Sequence, residues 1–388
     1  MTTAFWLSLF IVFYTFLGYG ILLYLMIKLR RVFVGKREIP EVADLPTCTL
    51  VVAAYNEQDF IKNKIKNTLE LNYPEGKLDL IFITDGSSDK TPEIISEFPE
   101  ITLLHKAERS GKIAAVHRAV ERVTTDIIVF TDANTFLNKD ALIKICRHYN
   151  DAKVGAVAGE KRIQLEESAD ASAAGEGFYW KYESKLKEWD SELYSVVGAA
   201  GELFSVRREL YKPVSKDTIL DDFMISMLIA EKGYRIIYEP EAYAVETASE
   251  DVSEELKRKV RIAAGGIQSV IWLKDLFNIF KYGVLSFQYV SHRVLRWTVT
   301  PFLLIVAFIL NIFIVFESEG VLNPFLLFCQ VTFYAMAILG FILEKRQLRV
   351  KVLFIPYYFC VMNYAVIAGM IRYFNNAQSS SWEKAKRK

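Results

Sequence analysis

Polar and acidic residues recur in this chain directly after short apolar runs, where their side chains could serve a ligand. TCTLVVAA leads into Tyr55, Asn56 and Glu57. LDLIFIT leads into Asp85, Gly86, Ser87, Ser88 and Asp89, and DIIVFT into Asp132, Ala133 and Asn134. Carboxylates, amides and hydroxyls of this kind accept hydrogen bonds and hold hard cations. Taken singly, each loop is ordinary turn or helix-capping chemistry. Their shared position after a strand argues for a common site.

The runs themselves read as strands: Thr47–Tyr55, Leu78–Asp85, Ile101–His105 and Asp126–Asp132. Between them lie helix-like stretches. Glu57–Leu71 sets Ile61, Ile65 and Leu69 on one face, and a second stretch spans Lys112–Arg122. Continuous apolar strands alternating with helices predict an α/β domain with a mostly parallel sheet covered on both faces. In such sheets ligands bind beyond the carboxyl ends of the strands, the edge these loops share.

Flanking this domain are four long apolar runs. The first spans about Phe5 to Ile27 and is followed by Lys28, Arg30, Arg31, Lys36 and Arg37. It is too long for a signal-peptide core, and its basic flank puts the next domain on the cytoplasmic side. Thr298–Phe316, Asn323–Leu343 and Leu353–Tyr373 follow near the other end. The acidic loop Glu317–Gly320 reads as external and the basic loop Glu344–Lys351 as cytoplasmic. Three further crossings would leave the tail outside, yet Trp382–Lys388 is basic. Pro356, Asn363 and Gly369 allow a broken or re-entrant last segment that returns it. The chain is therefore expected in a cell (inner or plasma) membrane, multi-pass, with its catalytic domain cytoplasmic.

Composition agrees with a mixed soluble and membrane chain: 52% hydrophobic residues alongside 24% charged ones. With 47 basic and 46 acidic residues the net charge is +1, so no field draws in nucleic acid. Four scattered cysteines, Cys48, Cys146, Cys329 and Cys360, offer neither a zinc motif nor a disulfide framework.

Taken in order, the motifs resemble the membrane-bound family-2 glycosyltransferases, the group of cellulose, chitin, hyaluronan and poly-N-acetylglucosamine synthases. The resemblance runs from about Thr47 to Trp297. It implies a GT-A-type, Rossmann-like α/β nucleotide-sugar domain with α-helical transmembrane segments. In that family AAYNE, with Ala54, Tyr55 and Glu57, and the TDGSSD pair Asp85 and Gly86 hold the nucleotide. RSGK places Lys112 at the diphosphate. TDAN stands at the D-x-D motif, so Asp132 binds donor and metal, with Asn134 in place of the second Asp as the other metal ligand; the metal is Mg²⁺ or Mn²⁺. VVGAAGELFSVRRELY brings Gly198 and Gly201 to the acceptor and ends in Arg207 and Arg208. LDD stands at the T-E-D motif, making Asp222 the base that takes the acceptor proton, with Asp221 orienting it. The last motif, Q-x-x-R-W, becomes Arg293, Arg296 and Trp297, a gating and acceptor-end element; Gln268 lies outside it.

The chain divides accordingly into an N-terminal transmembrane helix (1–27), a cytoplasmic linker (28–46), the catalytic domain (47–250), interfacial amphipathic helices (251–297), a C-terminal transmembrane region (298–374) and a basic tail (375–388). The resemblance implies inverting transfer from a UDP-sugar, UDP-N-acetylglucosamine among the candidates, to a growing glycan or lipid-linked acceptor. A polymerase needs a polar path through the membrane, which four helices with few polar residues leave narrow and a partner subunit or a second copy could complete. A single-transfer enzyme making one glycolipid needs none. A non-catalytic scaffold of the same fold is the third reading.

Overall fold

The structure, a computed structural model, describes residues 1–36, 44–164, 171–247, 252–317, 319–346, 348 and 350–377. The linker at 37–43 and the tail from 378 onward lie outside the described residues. The chain opens with a continuous helix, α1 (Thr2–Val34), that carries one π-helical turn at Tyr14–Gly18. The helix thus continues past Ile27 into the basic stretch, where Arg31 pairs with Glu192 at 2.6 Å.

The α/β domain is built on β1 (Cys48–Ala54), α2 (Ile61–Leu69), β2 (Leu78–Asp85), β3 (Thr102–Lys106), α3 (Lys112–Val120), β4 (Ile127–Asp132) and β5 (Thr135–Leu137). Then come β6 (Val154–Gln164), α4 (Ala171–Leu193), β7 (Leu203–Arg207), α5 (Asp221–Glu231), β8 (Arg235–Thr247) and α6 (Val252–Trp272). The eight strands form one sheet in the order β3-β2-β1-β4-β7-β6-β8-β5. Its first four strands are parallel, as the apolar runs predicted. The other half is mixed: β7 runs antiparallel to β4 and β6, while β6 and β8 are parallel.

β1 is buried along nearly its whole length because both faces are covered. On one side Val51, Ile83 and Phe130 pack with Val116 of α3 and Phe223 of α5. On the other, Leu50, Val52 and Phe82 pack with Ile61 and Ile65 of α2. A strand sandwiched in this way has no solvent face, so its sequence shows no alternation.

After α6 come short helical segments, Ile279–Tyr282, Val284–Tyr289 and Leu295–Trp297, with a π-helical turn at Val290–Val294. Three long apolar helices follow: α7 (Thr300–Glu317), α8 (Leu322–Lys345) and α9 (Lys351–Phe374). With α1, they make four helices long and apolar enough to cross a membrane. Phe10, Ile309 and Phe328 expose 62%, 46% and 68% of their surface, as suits helices facing lipid tails. α9 is unbroken despite Pro356, Asn363 and Gly369, although Pro356 lies inside the helix and removes one backbone hydrogen bond.

Candidate active site

Two adjoining cavities open where β1, β2 and β4 end, and Ala53, Lys112 and Asp132 line both. The first adds Ala54, Tyr55, Asp85, Arg109 and Gly111. The second adds Thr131, Gly201, Phe204 and Asp221. A separate hollow, lined by Asp44, Asp126, Tyr149, Arg207 and Arg208, lies at the opposite edge, where β1 and β4 begin. There Arg207 donates to the carbonyls of Tyr149 and Val154, and Arg208 to that of Thr125. These arginines therefore hold backbone together and stand away from the paired cavities.

Asp85, at the end of β2, is 5% exposed and tightly held. Its Oδ2 accepts the backbone N–H groups of Ser110 at 2.6 Å and Gly111 at 2.7 Å, while Arg118 reaches Oδ1 at 3.2 Å. The carboxylate thereby draws the loop before α3 over the strand ends. Gly86 permits this approach: its φ is +71°, and a Cβ there would sit 2.8 Å from the Arg109 Cα. Arg109 then stacks on the Tyr55 ring at 4.1 Å and forms a flat wall of the first cavity. Glu57, 2% exposed, lines neither cavity: its carbonyl accepts from Phe60 and Ile61 at the entry to α2.

Lys112 begins α3 and donates from Nζ to Asp132 Oδ1 at 2.7 Å. Burial opposes its charge, but Asp132 and then Asp221 outweigh that, so its pKa is raised. Asp132 remains partly open to the cavities, whereas Asn134 is 5% exposed and lines neither. Beneath this loop lies Lys64, fully buried, donating to the Thr135 carbonyl at 2.7 Å and to Thr131 Oγ1 at 3.2 Å. Burial lowers its pKa to about 7. Sequence reading passed over Lys64, because KNKIKN resembles a solvated helix face.

Asp221 and Asp222 open α5; Asp221 lines the second cavity together with Lys112, whereas Asp222 lines neither cavity. Burial, and next the charge of Asp221, push Asp222 up to about 7. Its Oδ2 would lie 3.3 Å from a Cβ on Gly201, so the bare α-carbon of Gly201 leaves space beside the carboxylate. Gln268 steadies the approach to α5 by accepting the Ile219 N–H at 2.8 Å and donating to the Asp217 carbonyl at 2.8 Å. Gly198 is held by the same packing. With φ +82°, a Cβ there would come within 2.1 Å of the Phe223 ring.

Gly198→Ala should therefore cost about 1–3 kcal/mol in overpacking and about 1–2 kcal/mol in left-handed backbone strain. Gly233 has φ +92° but open space around it. Gly233→Ala should lose only the backbone part, and equal losses in detergent melting curves would sink the packing argument.

The R-V-L-R-W segment does not reach the cavities directly. Trp297 is 9% exposed and meets the Phe223 ring edge-on at 5.2 Å. Arg293 and Arg296 both pair with Glu183 of α4, at 2.9 and 2.8 Å. Burial works against the Glu183 charge, but Arg293, His292 and Arg296 prevail and hold it well below the usual carboxylate range. His292 reaches Glu183 at 3.1 Å and Asp190 at 2.5 Å, and Asp190 also accepts from the Tyr19 hydroxyl of α1 and from Gln288. This buried cluster ties the first apolar helix to the segment behind α5.

Among the described residues no three His, Cys, Asp or Glu side chains gather to cage a metal ion. Asp132 supplies a single carboxylate at the lip of both cavities. That donor set fits Mg²⁺ or Mn²⁺, which are commonly held by one or two carboxylates together with substrate phosphates.

Residues 49–214 match glycosyl transferase family 2. The poly-beta-1,6-N-acetyl-D-glucosamine synthase of Staphylococcus aureus is 29% identical over 261 residues, 65% of this chain and 61% of its own length. The enzyme of the same name from Staphylococcus epidermidis is 27% identical over 280 residues, covering 69% of this chain and 65% of its own. The chain thus spans less than two thirds of these curated relatives. A mannosyltransferase from Pyrobaculum calidifontis, solved with GDP-Man and Mn²⁺, superposes with a TM-score of 0.71 over 97% of this chain and 100% of its own, at 23% identity. Its likeness carries the fold. Residues 49–214 thus form a glycosyl transferase family 2 domain, and the fold along nearly the whole chain is of GT-A type.

Proposed function

We propose that the protein is a membrane-bound inverting glycosyltransferase that moves a sugar from a UDP-sugar, UDP-N-acetylglucosamine first among them, to a glycan or lipid-linked acceptor. The observation that supports this best is the pair of cavities joined at Lys112 and Asp132, with Asp221 and Gly201 lining the second and the Asp222 carboxylate beside Gly201. The relatives named as synthases support an N-acetylglucosamine donor.

In this reading the nucleotide lies in the first cavity, against the Tyr55–Arg109 wall and the loop that Asp85 holds. Lys112 sits at the diphosphate. The acceptor hydroxyl enters over Gly201, and Asp222 takes its proton as the oxygen bonds to the anomeric carbon. The bond from that carbon to the diphosphate oxygen breaks on the opposite face, and its electron pair leaves with UDP. A divalent cation held by Asp132 would neutralise charge developing on the leaving diphosphate. Lys112 contributes a fixed positive charge to the same end.

UDP release by purified protein, with a panel of UDP-sugars and Mg²⁺, Mn²⁺ or EDTA, tests the reading. Turnover of one UDP-sugar, lost in EDTA and restored by metal, is the expected result. Turnover unaffected by EDTA would remove the metal from the scheme. A product ladder would mark a polymerase, and one discrete glycolipid a single-transfer enzyme.

A further inference from the structure

The last apolar helix is fixed at three points, and together they give its direction. Two contacts in the helix bundle set the scale of depth. Far from the α/β domain, Phe5, Ala307 and Ile314 form one buried cluster with Leu326 packed on it. At the near end, the hydroxyls of Thr15 and Thr300 bond at 3.0 Å, three residues beyond Trp297. From that far cluster α7 and α8 run antiparallel. Asn311 donates to Gln330 at 2.8 Å, and the Phe308 and Tyr334 rings meet at 5.1 Å. Continuing that pairing along α8 sets Gly340 beside the first turn of α7, at the near end.

α9 begins there. A Cβ on Gly340 would lie 2.6 Å from the Leu353 carbonyl and 2.8 Å from the Tyr357 Cβ. The middle of α9 passes just above this level, where Phe359 meets the ring of Phe16, the neighbour of Thr15, at 4.8 Å and that of Phe333 of α8 at 5.7 Å. Its last third returns to the near end. A Cβ on Gly369 would come within 2.6 Å of the Ala263 Cβ, and Ala263 lies three residues from Gly266, which abuts Trp297. Met370 and Tyr373 go on to pack against the core of the α/β domain. An upright helix would rise about 24 Å between residues 353 and 369. Its two ends, at Leu353 and Gly369, instead both lie at the base of the bundle.

The geometry points to α9 lying along the domain-side surface of the membrane, where it binds the lipid of that leaflet instead of crossing. Val352, Ile355, Tyr364 and Ile371 expose 66%, 57%, 59% and 56% of their surface and face those lipids. The chain then crosses three times, through α1, α7 and α8. The loop after α8 and the end of α9 both stay with the α/β domain, which reconciles the basic tail with the positive-inside rule. This inference rests on the membrane reading and is independent of the sugar transferred.

Single-cysteine variants in a Cys329→Ala, Cys360→Ala background test it. Glu319→Cys, Arg346→Cys and Asn375→Cys are placed in sealed vesicles of both orientations and treated with a membrane-impermeant maleimide. The expected result is labelling of positions 346 and 375 from the face that carries the α/β domain, and of position 319 from the other face. Labelling of position 375 from the face opposite the domain, or only after permeabilisation, would overturn the proposal. Arg346→Cys and Glu319→Cys report whether the vesicles and the fold are sound, and UDP-sugar turnover is not needed for the readout.

Discussion

Asp222→Asn is expected to lower sugar transfer by about 10²–10⁴-fold while leaving the protein folded, the usual loss on removing a positioned general base. The substitution keeps the size of the side chain and its place at the start of α5, so melting in detergent should barely move. The carboxylate must be ionised to take a proton. With Asp222 pushed up to about 7, first by burial and then by Asp221, turnover should rise with pH through about 7 and level off above it. In Asp222→Asn that rising limb should disappear from the residual rate. A variant with near-normal turnover, or an unchanged limb, would take the base away from Asp222. Asp221→Asn offers a second check. Removing its charge should move the limb to lower pH, since that charge is the second cause of the raised value.

The second large effect is expected in stability. Glu183→Gln leaves Arg293, Arg296 and His292 facing a neutral amide at a site where Glu183 is 3% exposed. Breaking a buried ion pair by removing one partner typically costs about 3–5 kcal/mol, because the remaining charges stay desolvated. Glu188→Gln, in an exposed pair with Lys185, should cost about 0–1 kcal/mol. Thermal melting of the two variants in the same detergent compares them directly. Equal midpoints would mean that water reaches the Glu183 cluster and that its charges are not held by one another.

Much of the fold was legible from local sequence. β2 matches its apolar run residue for residue, and β1, β3 and β4 fall within a residue or so of theirs. The strand-end rule also gathered Asp85 and Asp132 around one opening, and the resemblance of the RSGK segment added Lys112 to it. What local pattern missed were pairings over long separations. Glu183 and Asp190 sit on a helix rich in charge, and nothing near them announces His292, more than a hundred residues away. Lys64 was missed for the opposite reason, since its neighbours Lys62 and Lys66 are solvent-facing while it turns inward. Glu57 reads as a ligand residue from its motif, yet its carbonyl holds the entry to α2. Arg296 stands at the Arg of the motif and Arg293 in place of its Gln, but both pair with Glu183, so they shape the wall behind Trp297.

The unbroken run of α1 has a mechanical meaning. Thirty-three helical residues make a rod about 50 Å long. Its outer half packs against α7 and exposes Leu7, Phe10 and Phe13, while its inner half is pinned by Tyr19 to Asp190 and by Arg31 to Glu192. One continuous element thus reaches from the packed apolar helices to Asp190, and Asp190 in turn holds His292, five residues before the Trp297 that rests against α5.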